Sequence, residues 1–298
     1  MTAHQRQRLA HALIWIVPLF WSSNYLIARA ANGVIAPHTL ALGRWCLALA
    51  LMLPLAWRGL LRDGAPWLVA EWRQLLVLGG LGMWVCGAFV YIGGQSTGSA
   101  NIALIYAATP VAIAAVGALL LGERMSPLQM AGVALSLIGV LFVIAKGDLR
   151  NLLAVRLTIG DGWIVAAALS WTAYSLLLRL WPSRLGSAER LVAITGGGIL
   201  VLLPFSALEW WWVAQPPFSI KALGLVLAAA VLPGIVAYQA YSFMLRELGA
   251  GKTALVLYLG PVYAAFTAWG LLGEPPQAYH AIGAALILPS IWLATRAR

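Results

Sequence analysis

Charge is scarce in this chain. Charged side chains make up 9% of its 298 residues and only nine are acidic, whereas soluble domains carry roughly a quarter charged residues. That scarcity excludes a water-soluble globular surface. Cysteine is nearly absent too: Cys46 and Cys86 are the only two, and both fall inside long apolar stretches, so they read as small packing residues and not as a disulfide framework. No Gly-Lys-Ser/Thr follows the glycines at 79, 80, 82, 87, 93 and 94 or at 196–198, so these clusters do not make a phosphate-binding loop. No Asp or Glu lies near the centre of any apolar stretch, so a carboxylate-based proton or sodium relay has no carrier.

Apolar residues fill the space, at 62% of the chain. A bilayer-spanning helix needs about 20 of them at 1.5 Å rise each. Ten stretches qualify, near 10–30, 37–57, 75–95, 100–121, 127–145, 162–181, 189–208, 222–244, 253–272 and 277–295. Short turns join them, and only 59–73 and 146–161 leave room for interfacial segments. The first stretch follows Arg6 and Arg8 as a signal peptide would, but it is too long and contains Ser22-Ser23-Asn24, so it reads as a span. The expected class is an all-α integral membrane protein.

The net charge of +10 invites a nucleic-acid reading until its distribution is examined. With the N-terminus inside, thirteen Lys and Arg side chains fall on the cytoplasmic side and five on the other. The positive-inside rule then places both termini in the cytoplasm, and the basic surplus becomes a topology signal.

The chain also repeats itself. Ala103-Leu104, Pro110-Val111, Leu120-Leu121-Gly122-Glu123 and Gly132 recur as Ala254-Leu255, Pro261-Val262, Leu271-Leu272-Gly273-Glu274 and Gly283, always 151 positions later. Leu19, Trp21, Leu26 and Arg29 recur at an offset of 150 as Leu169, Trp171, Leu176 and Arg179. Five spans per copy is odd, so the second copy enters the membrane upside down. The expected architecture is ten transmembrane helices in two inverted five-helix repeats, residues 1–146 and 162–298, joined by an extracytoplasmic linker at 147–161. Such repeats create a midplane site that can open to either side.

Pro110 and Pro261 fall near the middles of helices four and nine, and each deprives the carbonyl four residues earlier, on Tyr106 or Leu257, of its helical donor. A matched pair of kinks lining a cavity is expected. Glu123 and Glu274 at the ends of the same helices read as caps or surface partners.

Polar and aromatic residues inside the spans supply the candidate site. Helix one offers Trp21, Asn24 and Tyr25; helix three Trp84, Tyr91 and Gln95; helix four Tyr106 and Thr109. Helix six offers Trp163, Trp171 and Tyr174, helix eight Tyr238, Gln239 and Tyr241, and helix nine Tyr258. Together they would wall an aromatic cavity with sparse hydrogen-bonding groups. Arg44 is the one arginine well inside a span, able to snorkel, to cap a helix or to meet a substrate carboxylate. Trp57, Trp67, Trp72 and Trp210 to Trp212 read as an interfacial belt.

One motif suggests an enzyme. Gly94-Gln95-Ser96-Thr97-Gly98 fits the nucleophile-elbow pattern, but that pattern needs a preceding strand and a histidine base, and here it joins two apolar helices.

These features resemble the drug/metabolite transporter superfamily in its ten-helix EamA-type branch, over nearly the whole length. The proline and Gly-Glu pattern of helices four and nine, Trp21 and Trp171, and the Pro37 to Arg44 spacing carry the likeness. The whole chain looks most similar to bacterial YddG-type exporters of aromatic and related amino acids. The resemblance implies export across the bacterial inner membrane through a cavity between the repeats. Many members have glycine after the helix-one tryptophan, where this chain has Ser22, with Thr172 after Trp171; these hydroxyls are expected to alter substrate preference.

The expected function is therefore facilitative, alternating-access export of amino acids or related metabolites, with no enzyme activity, cofactor or metal. Its partners would be a small-molecule substrate and the lipid bilayer, not nucleic acid; no oligomeric state follows. A broad exporter of lipophilic cations is the alternative, with an intramembrane serine hydrolase more distant.

Overall fold

The computed structural model describes the chain apart from residues 98, 123–124, 149, 154–157, 261, 264–265, 267–268, 270–276 and 297–298. Of the described residues 87% are helical, with no strand among them. Among the described residues seven helices are long and apolar enough to cross a membrane, and three shorter apolar ones run over 104–120, 250–259 and 278–294. Glu123, Glu274 and Pro261 lie outside the described residues, so their expected roles are not addressed by the fold.

The chain begins with α1 (Ala3–Ala31) and α2 (Pro37–Gly59), followed by a π-helical stretch, Leu60–Gly64. Helix α3 (Ala65–Gly79), a second π-helical stretch (Gly80–Val85) and α4 (Cys86–Gly93) make one long span. Helices α5 (Ser99–Ala107), α6 (Thr109–Leu121), α7 (Pro127–Ile144) and the short α8 (Arg150–Leu153) complete the first half. The second half has α9 (Ile159–Leu180) and α10 (Ser187–Trp212), then α11 (Ile220–Ala229), a third π-helical stretch (Ala230–Val236) and α12 (Ala237–Leu248). It ends with α13 (Ala250–Ala254), a 3-10 turn (Leu255–Leu259) and α14 (Ala278–Arg296).

Local chemistry explains most boundaries. Pro37 and Pro127 open α2 and α7, where a missing N–H costs nothing. Ser126 and Gln129 form a reciprocal capping box on α7, with bonds of 3.3 and 2.8 Å. Gly122 closes α6 in the left-handed region at φ 64°. Residues 59–73, where there is room for an interfacial segment, are helical throughout, running through the π-helical stretch into α3.

The helix is interrupted just before Pro110. Helix α5 stops at Ala107, Ala108 forms a turn, and α6 restarts at Thr109 with Pro110 buried in its first turn. In the second half the 3-10 turn Leu255–Leu259 interrupts the helix just before position 261.

The main packing joins the two halves of the chain. Helix α7 runs along α14, α2 and α3 along α10, α4 along α9, and α1 along α12. Small residues permit the closest approaches. A Cβ on Gly79 would lie 2.6 Å from the Ile194 carbonyl oxygen and 2.7 Å from Gly198 Cα, so α3 and α10 touch backbone to backbone. Both chain ends lie at one end of the bundle, where Arg6 pairs with Glu247 at 3.7 Å and Ala294 borders the same pocket as Glu247. At the opposite end the Glu209 carboxylate accepts from the N–H groups of His38 and Thr39, both at 2.9 Å, capping α2 from α10.

Candidate functional site

A cavity of about 70 Å³ sits at mid-depth, lined by Trp21, Asn24, Arg44, Cys86, Gly87, Val90, Tyr106, Trp171, Tyr238 and Leu257. Helices α1, α2, α4, α5, α9 and α12 and the 3-10 turn each supply at least one of these residues. The volume is well below the roughly 300–1,000 Å³ of small-molecule pockets.

One wall is aromatic. Trp21 meets Trp171 edge-on at 5.2 Å and Tyr241 at 5.2 Å, while Trp171 meets Tyr238 at 5.4 Å and Tyr174 at 5.3 Å. These centroid separations suit edge-to-face and offset-stacked pairs. The phenols are tied down behind the wall. Tyr238 donates to the Gly82 carbonyl at 2.8 Å and Tyr241 to Ser175 Oγ at 2.8 Å.

The other wall is polar and is organised by Arg44, which is 3% exposed. Its guanidinium donates to Tyr91 Oη at 3.0 Å, to the Pro233 carbonyl at 3.3 Å and to Asn24 Oδ1 at 3.5 Å. Tyr91 in turn donates to Asn24 Oδ1 at 2.8 Å. The Arg44 Nε is buried with no partner among the described residues. Arg44 does not snorkel, therefore, and among the described residues it has no carboxylate beside it.

Two larger pockets, of about 350 and 300 Å³, lie at the end that carries the chain termini, and both include Arg179 and Arg246. Along α9 and α12 the sequence of layers is clear. Trp171 and Tyr238 line the central cavity, Tyr174 and Tyr241 are fully buried one turn on, and Leu178 and Leu245 line the 300 Å³ pocket one turn further. The two tyrosines thus separate the cavity from that end.

The candidates divide cleanly. Trp21, Asn24, Arg44, Tyr106, Trp171 and Tyr238 line the cavity, and Tyr91 holds two of them in place. Tyr174, Tyr241 and Tyr258 are buried in the layer behind. Three fall elsewhere. Gln95 is exposed because α4 ends at Gly93, two residues too soon. Trp163 is 38% exposed and packs on Phe89 at 4.8 Å; it precedes Trp171 by eight residues, about 12 Å along the helix. Gln239 turns toward α10, where its Oε1 accepts from Ser187 at 3.4 Å. Thr109 is buried and does not line the cavity, and Trp84 stacks on Phe205 at 3.7 Å.

The hydroxyls beside the tryptophans donate to carbonyls of their own helices. Ser22 donates to the Leu19 carbonyl at 2.9 Å, Ser23 to Phe20 at 2.6 Å and Thr172 to Ala168 at 3.0 Å. Sequence reasoning missed Gly87, Val90 and Leu257, which carry no polar signal, and took Cys86 as packing alone. The repeat offset would have found Leu257, which stands 151 positions after Tyr106.

The Gly94-to-Gly98 stretch follows a helix, not a strand, with residues 94–96 in a turn. There Thr97 Oγ1 meets Thr158 Oγ1 at 2.9 Å.

An apolar helical bundle with a polar and aromatic cavity at mid-depth is the build of a multi-pass membrane transporter. A model of the EamA-like transporter family matches residues 8–145 and again residues 158–296. The chain belongs to that family, within the drug/metabolite transporter superfamily. It is 26% identical over 290 residues to an uncharacterized transporter of Archaeoglobus fulgidus, covering 96% of both chains. It is 24% identical to an S-adenosylmethionine/S-adenosylhomocysteine transporter of Chlamydia trachomatis, covering 92% of this chain and 86% of the relative. A probable terminal-alkyne amino-acid exporter of Streptantibioticus cattleyicolor is 26% identical over 65% of this chain and 63% of its own length. A solved crystal structure, 20% identical, superposes with a TM-score of 0.73 over 96% of both chains, a likeness of fold alone.

Proposed function

We propose that this transporter exports amino acids or closely related small amphipathic metabolites by alternating access, from the cytoplasm across a bacterial inner membrane. Its ten spans form two inverted units, residues 1–146 and 162–298, joined by 147–161, with both termini cytoplasmic. The observation that carries the reading is that positions related by the repeat meet in one cavity. Trp21 and Trp171, Gly87 and Tyr238, and Tyr106 and Leu257 stand 150, 151 and 151 apart and all line it.

Further features support the two-unit reading. The π-helical stretches Gly80–Val85 and Ala230–Val236 start 150 positions apart. The helix breaks before Pro110 and Pro261 also correspond, and the family model matches the chain twice. The packing of α1 on α12 mirrors that of α9 on α4. In such a design the Tyr174 and Tyr241 layer acts as the cytoplasmic gate, with Pro110 and its repeat counterpart Pro261 in a gating role.

Aromatic walls suit apolar and aromatic side chains, and the relative named as an amino-acid exporter supports that cargo class. Arg44 in the polar wall disfavours a lipophilic cation, which would meet an uncompensated positive charge. With no carboxylate among the lining residues to titrate, flux should be facilitative.

The test is uptake of labelled tryptophan, phenylalanine, threonine and methionine into proteoliposomes, with and without a pH gradient. Saturable flux that ignores the gradient is expected. If none of the four is carried, the amino-acid assignment falls, and gradient-driven flux would overturn the facilitative mode.

A further inference from the structure

Arg44 stands out as a full positive charge at mid-depth whose partners are all neutral. Tyr91, the Pro233 carbonyl and Asn24 accept from it at 3.0, 3.3 and 3.5 Å, the Trp45 ring centroid lies 4.4 Å from its guanidinium carbon, and Nε has no partner. A buried charge without a counter-charge is costly. The other residues lining the cavity are aromatic, apolar or neutral polar, and none is acidic. The cavity wall therefore carries a net charge of +1 among its described residues, and a ligand of net charge −1 neutralises it where a zwitterion does not.

Building on the transport reading above, we propose that Arg44 is a carboxylate anchor and that the cavity takes monoanionic aromatic or apolar carboxylic acids at least as readily as the corresponding amino acids. The carboxylate meets the guanidinium, which presents a planar fork suited to it. The ring lies against Trp21 and Trp171. An α-ammonium group finds no carboxylate on the wall and meets only ring faces and the Asn24 amide, so it adds little. The Pro233 carbonyl, which Arg44 holds here, belongs to the π-helical stretch leading into α12. An incoming carboxylate competes for that bond, which links α2 of the first half to the second half and ties recognition to the helices that must part to admit a ring.

Four phenyl compounds of matched shape separate the possibilities: 3-phenylpropionate, phenylalanine, phenylalaninamide and phenethylamine. Each is tested for thermal stabilisation of the purified full-length transporter and for competition with uptake in proteoliposomes. The acid is expected to bind as well as or better than phenylalanine, with the amide and the amine weaker by on the order of 10- to 100-fold. Arg44→Met should lose that preference for the acid while its unliganded melting temperature stays level or rises, since removing an uncompensated buried charge relieves strain; a merely structural arginine would lower it. Arg44→Lys should keep a reduced preference. Equal binding of acid and amide, or an unchanged preference in Arg44→Met, overturns the anchor. Binding of 3-phenylpropionate without phenylalanine flux leaves the anchor standing and removes the amino-acid assignment. Phenylalanine flux with no response to 3-phenylpropionate does the reverse.

Discussion

Helices α7 and α14 meet through glycine, serine, alanine and aliphatic side chains such as Val143 and Ile287, whereas α1, α2, α9 and α12 meet through tryptophan, tyrosine and one arginine. Both contacts join the first half of the chain to the second. In the α7 and α14 seam, Gly139 and Gly283 face each other so closely that a Cβ on either would lie 3.2 Å from the other's carbonyl oxygen, and Ser136 meets Ser290 at 2.7 Å. Every polar group named there has a partner. Around the cavity, by contrast, the structure leaves a void and an unpaired Arg44 Nε. Close packing of small residues resists sliding, while bulky rings around a void can be rearranged at lower cost. On the transport reading proposed above, the first contact is expected to stay a fixed seam and the second to move and receive the ligand.

The largest expected effect comes from breaking the seam. A Cβ on Gly132 would lie 2.6 Å from Ala294 Cβ and 2.7 Å from the Ser290 carbonyl oxygen. Gly132→Leu should therefore separate α7 from α14 at a cost of about 1–3 kcal/mol or more, seen as a fall in the monodisperse fraction and melting temperature of the purified protein. A variant as stable as the parent would show that the seam tolerates sliding.

Breaking the cavity should instead spare the fold. Trp21 is only partly buried, so Trp21→Ala removes a ring from the wall without opening the deeper core. Transport of the best substrate should fall about tenfold or more, the equivalent of roughly 1.4 kcal/mol of binding, with the melting temperature little changed. Wild-type flux from Trp21→Ala would remove the aromatic wall from the mechanism.

A smaller and opposite effect is expected behind the wall. Tyr258 is fully buried and its hydroxyl has no partner among the described residues. Replacing it by phenylalanine removes an unsatisfied polar group whose burial costs on the order of 1–3 kcal/mol, so Tyr258→Phe should raise the melting temperature. A lower melting temperature would mean that the hydroxyl is satisfied in the conformation the protein adopts in solution.

The same contrast governs how much was legible in the sequence. Apolar windows located the helices because a bilayer admits few other spanning structures, and the repeat offset pointed to Trp21 with Trp171. Helical faces were read less well. A uniform 3.6-residue spacing puts Trp84 and Tyr91 on one face, but Trp84 belongs to the π-helical stretch Gly80–Val85. The wider π turn shifts the register of the helix beyond it, so Trp84 stacks on Phe205 while Tyr91 reaches Asn24. Gln95 joins the expected site only if α4 runs past its end, and Trp163 only if depth is ignored. The seam was legible only as scattered glycines, because small residues reveal close approach only when their partner helix is known.

The smallest effect sharpens the comparison most. Ser136 and Ser290 are both fully buried, and their hydroxyls form a bond across the seam. If that bond held α7 to α14, their double-mutant cycle would give a large coupling. Yet Ser290 Oγ also lies 2.8 Å from the Leu286 carbonyl and 2.9 Å from that of Ile287, so it can donate to its own helix when Ser136 is removed. Hydrogen bonds between transmembrane helices average about 0.6 kcal/mol because such fallback partners exist. Ser136→Ala, Ser290→Ala and the double variant should therefore yield a coupling of about that size by reversible unfolding. A coupling well above about 1.7 kcal/mol, the upper range for such bonds, would make the seam a polar clasp. It could then open and close in the transport cycle, and the line between fixed and moving contacts would have to be redrawn.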